Sequence, residues 1–224
     1  MLFKTKGIVL SFIKYSETSI ITKIYTAEFG LQSYIVNGVR NKNSKTKIAL
    51  FQPLTLLDLV VYHKNTGGIQ RISELKCNYP FKSIPFDLHK SSIGIFLAEV
   101  LSKTLKEDYS NPALFDFLNH SIATFDDQKD KIENFHLKFL IDFAGYLGFM
   151  PTRANDITTS GHIKSPTNEE LEFLDSLISS SEIKPINNST RRVCMDYILE
   201  FYSYHVENFG TLNSVRVLKE VLSN

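Results

Sequence analysis

The first 80 residues place apolar and polar side chains in short alternating runs, and this pattern predicts β-strands. In "SIITKIYT" (19–26), for example, Ile20, Thr22 and Ile24 fall on one face of such a strand. Turn-forming residues such as "SET", "EFG" and "NTGG" separate the runs. Five strands are predicted in this way, at 7–15, 19–26, 31–39, 53–63 and 67–79.

From about residue 81 the apolar residues recur every three or four positions instead, which predicts α-helices. The helices are expected at 91–105, from Asn111-Pro112 onward, and at 134–149, 171–179, 190–208 and 213–222. Five strands in so short a segment favour a small closed barrel of the oligonucleotide-binding type. The predicted class is therefore α+β and multi-domain. It consists of a five-stranded barrel over residues 1–80 and an all-α domain over 81–224, with an irregular polar segment at 151–168.

The charge differs between these two parts of the chain. Residues 1–80 hold 11 Lys and Arg against 4 Asp and Glu, a net charge of +7. Residues 81–224 hold 14 against 20, a net charge of −6. Such asymmetry is typical of a nucleic-acid-binding domain joined to a domain with another task.

The densest positive charge lies in "VRNKNSKTK" (39–47), which contains no acidic residue. Its basic residues are Arg40, Lys42, Lys45 and Lys47. An electropositive loop on a small barrel suits a phosphate backbone, and Asn and Ser side chains between the cations can also donate to phosphates. Further residues predicted to extend this DNA-binding track are Lys6, Lys23 and Arg71. The competing interpretation is a solvated surface loop.

Aromatic residues in the barrel offer a second kind of contact, because single-strand binders stack bases on exposed rings. Most barrel aromatics are expected in the core. Tyr34, just before the basic loop, and Tyr15, beside a turn, are the favoured stacking candidates.

No catalytic or metal-binding motif is present. The two cysteines, Cys77 and Cys194, form no C-x-x-C pair, and the six histidines show no metal-ligand spacing. Phosphate-binding glycine loops and nucleophile motifs are also missing, so a binding protein without metal or cofactor is predicted rather than an enzyme. No signal peptide and no apolar run long enough for a membrane span are found, which predicts a cytoplasmic protein without membrane contact.

Four stretches are distinctive when taken together: "TKGIVL" (5–10), "YSETS" (15–19), "GVR" (38–40) and "NFHLKFLIDFAGYLGFMP" (134–151). They resemble the RecO family of bacterial recombination mediators, in the short, zinc-less form found in the Bacteroidetes. The resemblance implies an oligonucleotide-binding barrel followed by a helical domain. It also implies binding of single- and double-stranded DNA, annealing of complementary strands, and help in loading the RecA recombinase at the nucleoid.

The resemblance implies two protein partners, RecR and the acidic C-terminal tail of single-strand-binding protein. The basic residues suggested for contact with that tail are Lys103, Lys138 and Arg153. Many family members carry a four-cysteine zinc site where this chain has "TRANDITTSGHIKSPTN" (152–168), so no zinc is predicted here. Two other functions stay open, an RNA- or tRNA-binding accessory protein and a protein-interaction scaffold.

Overall fold

The computed structural model describes residues 1–41, 48–64, 67–106, 110–159, 164–179 and 182–222. Within these ranges the chain forms a closed five-stranded barrel followed by seven α-helices, which confirms the predicted α+β class. Two compact units are present, Met1–Asp127 and Gln128–Asn224. None of the helices in the described ranges has the length and apolar character needed to cross a membrane.

The barrel strands are β1 (Leu2–Tyr15), β2 (Ser19–Thr26), β3 (Gly30–Val36), β4 (Leu56–Tyr62) and β5 (Gln70–Tyr79). Their order around the barrel is β1-β2-β3-β5-β4, and all neighbours are antiparallel except β3 and β5. The long strand β1 pairs with β4 through its first half and with β2 through its second half, so it closes the barrel. Every predicted strand overlaps an observed one.

Alternate side chains of the strands fill the barrel interior. The buried core consists of Val9, Ile20, Ile24, Tyr34, Val36, Val39, Phe51, Leu57, Leu59 and Val61. At Gly7 the strands approach so closely that a Cβ atom would lie 2.6 Å from Ile24 Cγ2 and 2.7 Å from Leu59 Cδ1. The lack of space, rather than the backbone conformation, therefore favours glycine at this position.

Two helices, α1 (Leu88–Thr104) and α2 (Pro112–Asp127), belong to the first compact unit. They cover part of the outer barrel surface, where the Tyr25 ring stacks on Phe115 with centroids 6.1 Å apart. The last strand ends at Tyr79 and the first helix begins at Leu88, close to the predicted boundary at residue 80. The first compact unit, however, continues to Asp127. A domain boundary at residue 80 stays a prediction.

The carboxylate of Asp126, near the end of α2, fixes the segment that joins the barrel to α1. It accepts hydrogen bonds from the backbone N–H groups of Lys82 (2.7 Å), Ser83 (2.9 Å) and Ile84 (2.9 Å). The buried ammonium of Lys90 donates to the Asp126 carbonyl oxygen (2.9 Å) and to Ser83 Oγ (2.6 Å). Burial alone would raise the pKa of Asp126, but the N–H donors outweigh burial and leave this pKa below its ordinary value.

The second unit is helical. Its helices are α3 (Phe135–Tyr146), α4 (Ala154–Thr158), α5 (Asn168–Ile178), α6 (Asn188–His205) and α7 (Ser214–Val221). Gly148, with φ of 89°, ends the first of these helices as its sequence predicts. The Tyr202 hydroxyl donates to the Leu140 carbonyl oxygen at 2.7 Å and ties α6 to α3.

Helix α4 lies in the segment 151–168, which the sequence pattern had predicted to be irregular, so that detail is corrected. The helix is stabilised by capping rather than by an apolar stripe. The Asp156 carboxylate accepts from the backbone N–H and the hydroxyl of Thr152, at 2.9 and 2.7 Å. Asp175 on α5 accepts from the Ala154 N–H at 2.6 Å, a contact that no local pattern reveals.

Candidate nucleic-acid interface

Arg40 lies exposed at the rim of the barrel, where it is held by the turn between β1 and β2. Its backbone N–H donates to the Thr18 carbonyl oxygen (3.0 Å), and its Nη1 donates to the Ser16 carbonyl oxygen (3.2 Å). A guanidinium has five N–H donors, so the bond to Ser16 leaves others for a ligand. Arg40 is thus a positioned cation beside the β1–β2 turn.

The other three basic residues of the predicted loop, Lys42, Lys45 and Lys47, lie outside the described residues. Their assignment to DNA binding stays a prediction. The described residue before them, Asn41, donates its N–H to the Gly38 carbonyl oxygen at 3.1 Å, so the chain turns as it leaves β3.

A row of side chains that are in register with one another crosses the outside of the barrel. Partners opposite each other on adjacent strands point to the same face of a sheet. We call this set the outer row; it consists of Ile13, Ile21, Ile35, Arg71, Tyr62 and Leu2. The predicted residue Arg71 is exposed and stands between Ile35 of β3 and Tyr62 of β4.

Lys23 occupies the next register position of the same face. It is exposed and lies opposite Ser11 on β1 and Ser33 on β3, both neutral. No acidic side chain among the described residues forms an ion pair with Lys23, Arg40 or Arg71. The structure therefore places Lys23 and Arg71 on the outer surface of the barrel and Arg40 at its rim, none of them in an ion pair with a described acid.

Lys6 lies in a different environment. It faces Asp58 on β4, and Asp58 forms an ion pair with Lys76 on β5 at 3.4 Å. A groove of about 670 Å³ runs through this region, and its charged lining residues are Lys4, Lys6, Lys76, Glu28, Asp58 and Glu74. The groove thus holds three cations and three acids, so a polyanion gains less here than at the position of Lys23. We call this surface the balanced groove.

Tyr34 is fully buried in the barrel core, opposite Gln70 of β5. A ring in that position has no surface on which a base can stack. We therefore leave Tyr34, which the sequence suggested as a stacking residue, out of the proposed DNA-binding site.

Two other tyrosines of the barrel strands have exposed rings. Tyr15 at the end of β1 is 48% exposed, and Tyr62 of the outer row is 46% exposed. Sequence reasoning favoured Tyr15 because it stands beside a turn, but it missed Tyr62. The alternation in "LLDLVVY" (56–62) puts Tyr62 on the face opposite Val61, and this signal was available from the sequence.

The three basic residues suggested for partner binding are placed as follows. Lys103 lies half-buried in the last turn of α1, in the first unit. In the second unit, Lys138 on α3 forms an ion pair with Asp142, and Arg153 forms one with Asp156 at 3.2 Å. Two of these cations thus have acidic partners within their own unit, and their role in binding a protein stays a prediction.

Two buried titratable groups of the second unit, His136 and Cys194, are neutral at physiological pH. Burial is the main cause that lowers the pKa of His136 to about 3, and the positive charge of Arg191 is the second cause. Burial raises the pKa of the Cys194 thiol to about 12. Among the described residues, no three His, Cys, Asp or Glu side chains come together as metal ligands. The chemistry that the described surface supports is binding of a polyanion through cations and exposed apolar side chains.

Comparison with known proteins gives a consistent result over the whole chain. Residues 1–81 match the sequence model described as Recombination protein O N terminal, and residues 85–167 match Recombination protein O C terminal. Similar proteins named DNA repair protein RecO come from Flavobacterium psychrophilum (38% identical), Bacteroides fragilis (35%) and Phocaeicola vulgatus (34%). The alignments cover 99–100% of this chain and of each relative. The chain belongs to the Recombination protein O (RecO) family of DNA repair proteins.

Proposed function

We propose that this chain is a non-enzymatic recombination mediator. It binds single- and double-stranded DNA, anneals complementary strands, and helps to load the RecA recombinase on DNA coated with single-strand-binding protein. Its proposed protein partners are RecR and the C-terminal tail of single-strand-binding protein, and its proposed place of action is the nucleoid. Family membership supports the general role in DNA repair.

The observation that carries DNA binding is the uneven distribution of charge around the barrel. Lys23, Arg40 and Arg71 form no ion pair with an acid among the described residues, whereas the balanced groove holds as many acids as cations and Lys76 there forms an ion pair with Asp58. A surface chosen only for solubility has no need of this separation. Unpaired cations on one face are what a phosphate backbone requires, because each neutralised phosphate releases counterions.

Annealing follows from the same charges by a simple physical argument. Base pairing acts only at short range, whereas the repulsion between two phosphate backbones extends over a Debye length of about 8 Å at physiological salt. A protein surface with unpaired cations lowers that repulsion while the bases find their partners. No reacting group is needed for this step.

The proposal is tested by annealing of complementary strands coated with single-strand-binding protein. The test variant combines Lys23→Ala, Arg40→Ala and Arg71→Ala, and the matched control combines Lys4→Ala, Lys6→Ala and Lys76→Ala. Both variants lose three positive charges, but only the control loses them from a surface that also carries three acids. We expect the test variant to anneal complementary strands more slowly than the wild type. The slope of its DNA-binding constant against salt concentration, on logarithmic axes, should become shallower by about one unit per lost phosphate contact.

Three outcomes would contradict parts of this proposal. Equal losses in the two triple variants would show that net charge alone matters. Tighter binding of RNA than of DNA of the same sequence would favour an RNA-binding accessory protein. If a peptide that copies the C-terminal tail of single-strand-binding protein fails to bind at low salt, that partner is removed from the proposal.

A further inference from the structure

We infer that two copies of this chain pair through one surface, in which Phe86 of each copy enters an apolar groove beside helix α1 of the other. Phe86 and the groove both belong to the first compact unit. Neither contains a residue of the proposed DNA contacts, so this association is independent of the proposed function and fails separately from it.

The groove is apolar and has room for an aromatic ring. It lies between helix α1, the end of strand β5 and the segment 49–55 that precedes β4. Its volume is about 450 Å³, whereas a cavity of about 150 Å³ already holds a benzene molecule. The apolar side chains that line it include Leu50, Pro53, Phe81, Pro85 and Ile95.

One face of helix α1 borders this groove and is open to solvent. Most residues of the helix are buried, but Leu88 is 66% exposed and Ile95 is 52% exposed. Together with Ser91 they follow one another at spacings of three and four residues, so the three side chains lie on one face of the helix. An exposed apolar helix face beside an apolar groove indicates a surface that another protein covers.

Phe86 projects from the edge of the same groove. Its side chain is 81% exposed, although a phenyl ring gains more than most side chains from burial. The N–H groups of Phe86 and Asp87 both donate to the Ser83 carbonyl oxygen at 2.9 Å. The Asp87 carboxylate in turn accepts from the Lys90 N–H at 2.9 Å and caps helix α1. Because the backbone around Phe86 is already fixed, binding of its ring costs little conformational entropy.

A projecting ring and a groove that fits it, side by side on one surface, match the requirement of a twofold-symmetric pair. In such a pair the same surface of both copies takes part, so that residue i contacts residue j and j contacts i. When Phe86 of one copy enters the groove of its partner, the partner's Phe86 enters the groove of the first copy. Two aromatic rings are thus buried together, and aromatic side chains are enriched among the residues that dominate protein interfaces.

The charges beside the groove favour a second copy over DNA. The Lys82 ammonium lies 6.0 Å from the ring centroid of Tyr79, a lining residue, and forms an ion pair with Asp127 at 2.9 Å. A phosphate backbone gains little from a cation that already has an acidic partner. Two copies, by contrast, bring paired charges together and meet without strong repulsion.

The experiment measures the molecular mass of the full chain by sedimentation equilibrium over a concentration series. We expect a monomer–dimer equilibrium for the wild type. Phe86→Ser removes two rings from each dimer, so its dissociation constant should rise at least about 100-fold. Ile13→Ser is the matched control, because Ile13 is 63% exposed on strand β1. Its dissociation constant should stay within about 2-fold of the wild-type value, the range expected for a contact outside the interface.

A mixing experiment tests whether the ring enters the groove. Ser91→Phe fills the groove from the open face of α1 but keeps Phe86, whereas Phe86→Ser keeps an open groove but lacks the ring. Each variant alone should be monomeric where the wild type is dimeric. Their mixture should form heterodimers, since the remaining Phe86 of one copy enters the open groove of the other. Circular dichroism and the unfolding midpoint of each variant show that both are folded.

Four outcomes would overturn the inference. A wild type that stays monomeric up to about 1 mM would show that the groove serves a different protein. A Phe86→Ser protein that pairs as tightly as the wild type would place the interface elsewhere. Folded variants that stay monomeric when mixed would show that ring and groove do not meet. A dimer that dissociates when salt is raised would indicate pairing through charges instead, because burial of apolar side chains is not screened by salt.

Discussion

The guanidinium of Arg40 donates a hydrogen bond to the carbonyl oxygen of Ser16, and this 3.2 Å contact connects the segment after β3 to the turn between β1 and β2. Ser16 adopts a left-handed conformation, with φ of 53°, as it follows β1. The Arg40 backbone N–H is bound to the same turn through Thr18. The position of this cation is therefore set by the barrel.

The first prediction concerns the separate contributions of charge and position at Arg40. Arg40→Ala should weaken DNA binding and lower the salt slope by about one, because one phosphate contact is lost. Arg40→Lys keeps the charge but not the planar donors, so it should keep the slope and lose only part of the affinity. Anisotropy titrations over a salt series measure both quantities. An unchanged slope in Arg40→Ala would exclude a phosphate contact at this residue.

The second prediction concerns Tyr34, which the sequence offered as a stacking residue and the structure places in the core. Tyr34→Ala should lower the free energy of unfolding by about 3–5 kcal/mol, as expected when a buried aromatic ring is removed. Tyr34→Phe keeps the ring and should bind single-stranded DNA with wild-type affinity. Chemical denaturation and anisotropy test the two statements. A selective loss of DNA affinity in a stable Tyr34→Phe protein would restore Tyr34 as a ligand contact.

Tyr34 also illustrates why the sequence predicted the strands better than the site. The segment "LQSYIV" (31–36) has apolar residues at both parities, so alternation alone does not show which face of β3 points inward. That choice is made by pairing with β5, where Tyr34 meets Gln70 inside and Ile35 meets Arg71 outside. Sequence patterns establish that a strand exists, but the partner strand decides its orientation in the barrel.

The same limit applies to the charged residues. Lys6 and Lys23 are both exposed strand lysines in the sequence pattern, and nothing local distinguishes them. The closed barrel places Lys6 opposite Asp58 and Lys23 between two serines. Helix α4 was missed for a related reason, because the Asp175 side chain that accepts its first N–H lies on another helix.

The third prediction concerns Gly7, in the motif "TKGIVL" (5–10). A Cβ at this position would lie 2.6 Å from Ile24 Cγ2, so Gly7→Ala should destabilise the protein by about 1–3 kcal/mol through overpacking. Gly94→Ala is the matched control, since its Cβ would meet Ile84 and Leu54 at an ordinary 3.5 Å inside helix α1. It should be neutral or stabilising by up to about 1 kcal/mol. Equal effects in chemical denaturation would contradict the close approach at Gly7.

The fourth prediction concerns the Asp126 carboxylate and its three backbone N–H donors. Asp126→Asn should lower the free energy of unfolding by at least about 1–3 kcal/mol, because an amide nitrogen cannot accept and leaves donors unsatisfied. Since the pKa of Asp126 is lower in the folded state than its ordinary 3.8, its stabilisation is full above that value and is lost as the pH falls below it. The wild type should therefore lose more stability than the variant on acidification from pH 5 to pH 3. Parallel curves would show that Asp126 does not contribute through its charge.

The fifth prediction concerns His136, which is buried on α3 in the second unit. Burial and the nearby charge of Arg191 lower its pKa from 6.5 to about 3, so the folded state binds fewer protons than the unfolded state between these values. Stability should therefore be full above pH 6.5 and decline as the pH falls toward 3, by about 2 kcal/mol at pH 5. His136→Gln cannot titrate in this range, so its stability should depend less steeply on pH between 6.5 and 5, even if it is lower at pH 7. Urea denaturation across this range measures both slopes, and hydrogen exchange in α3 and α6 assigns the loss to the second unit. If wild type and variant have the same slope, His136 is not the group that makes the folded protein sensitive to mild acid.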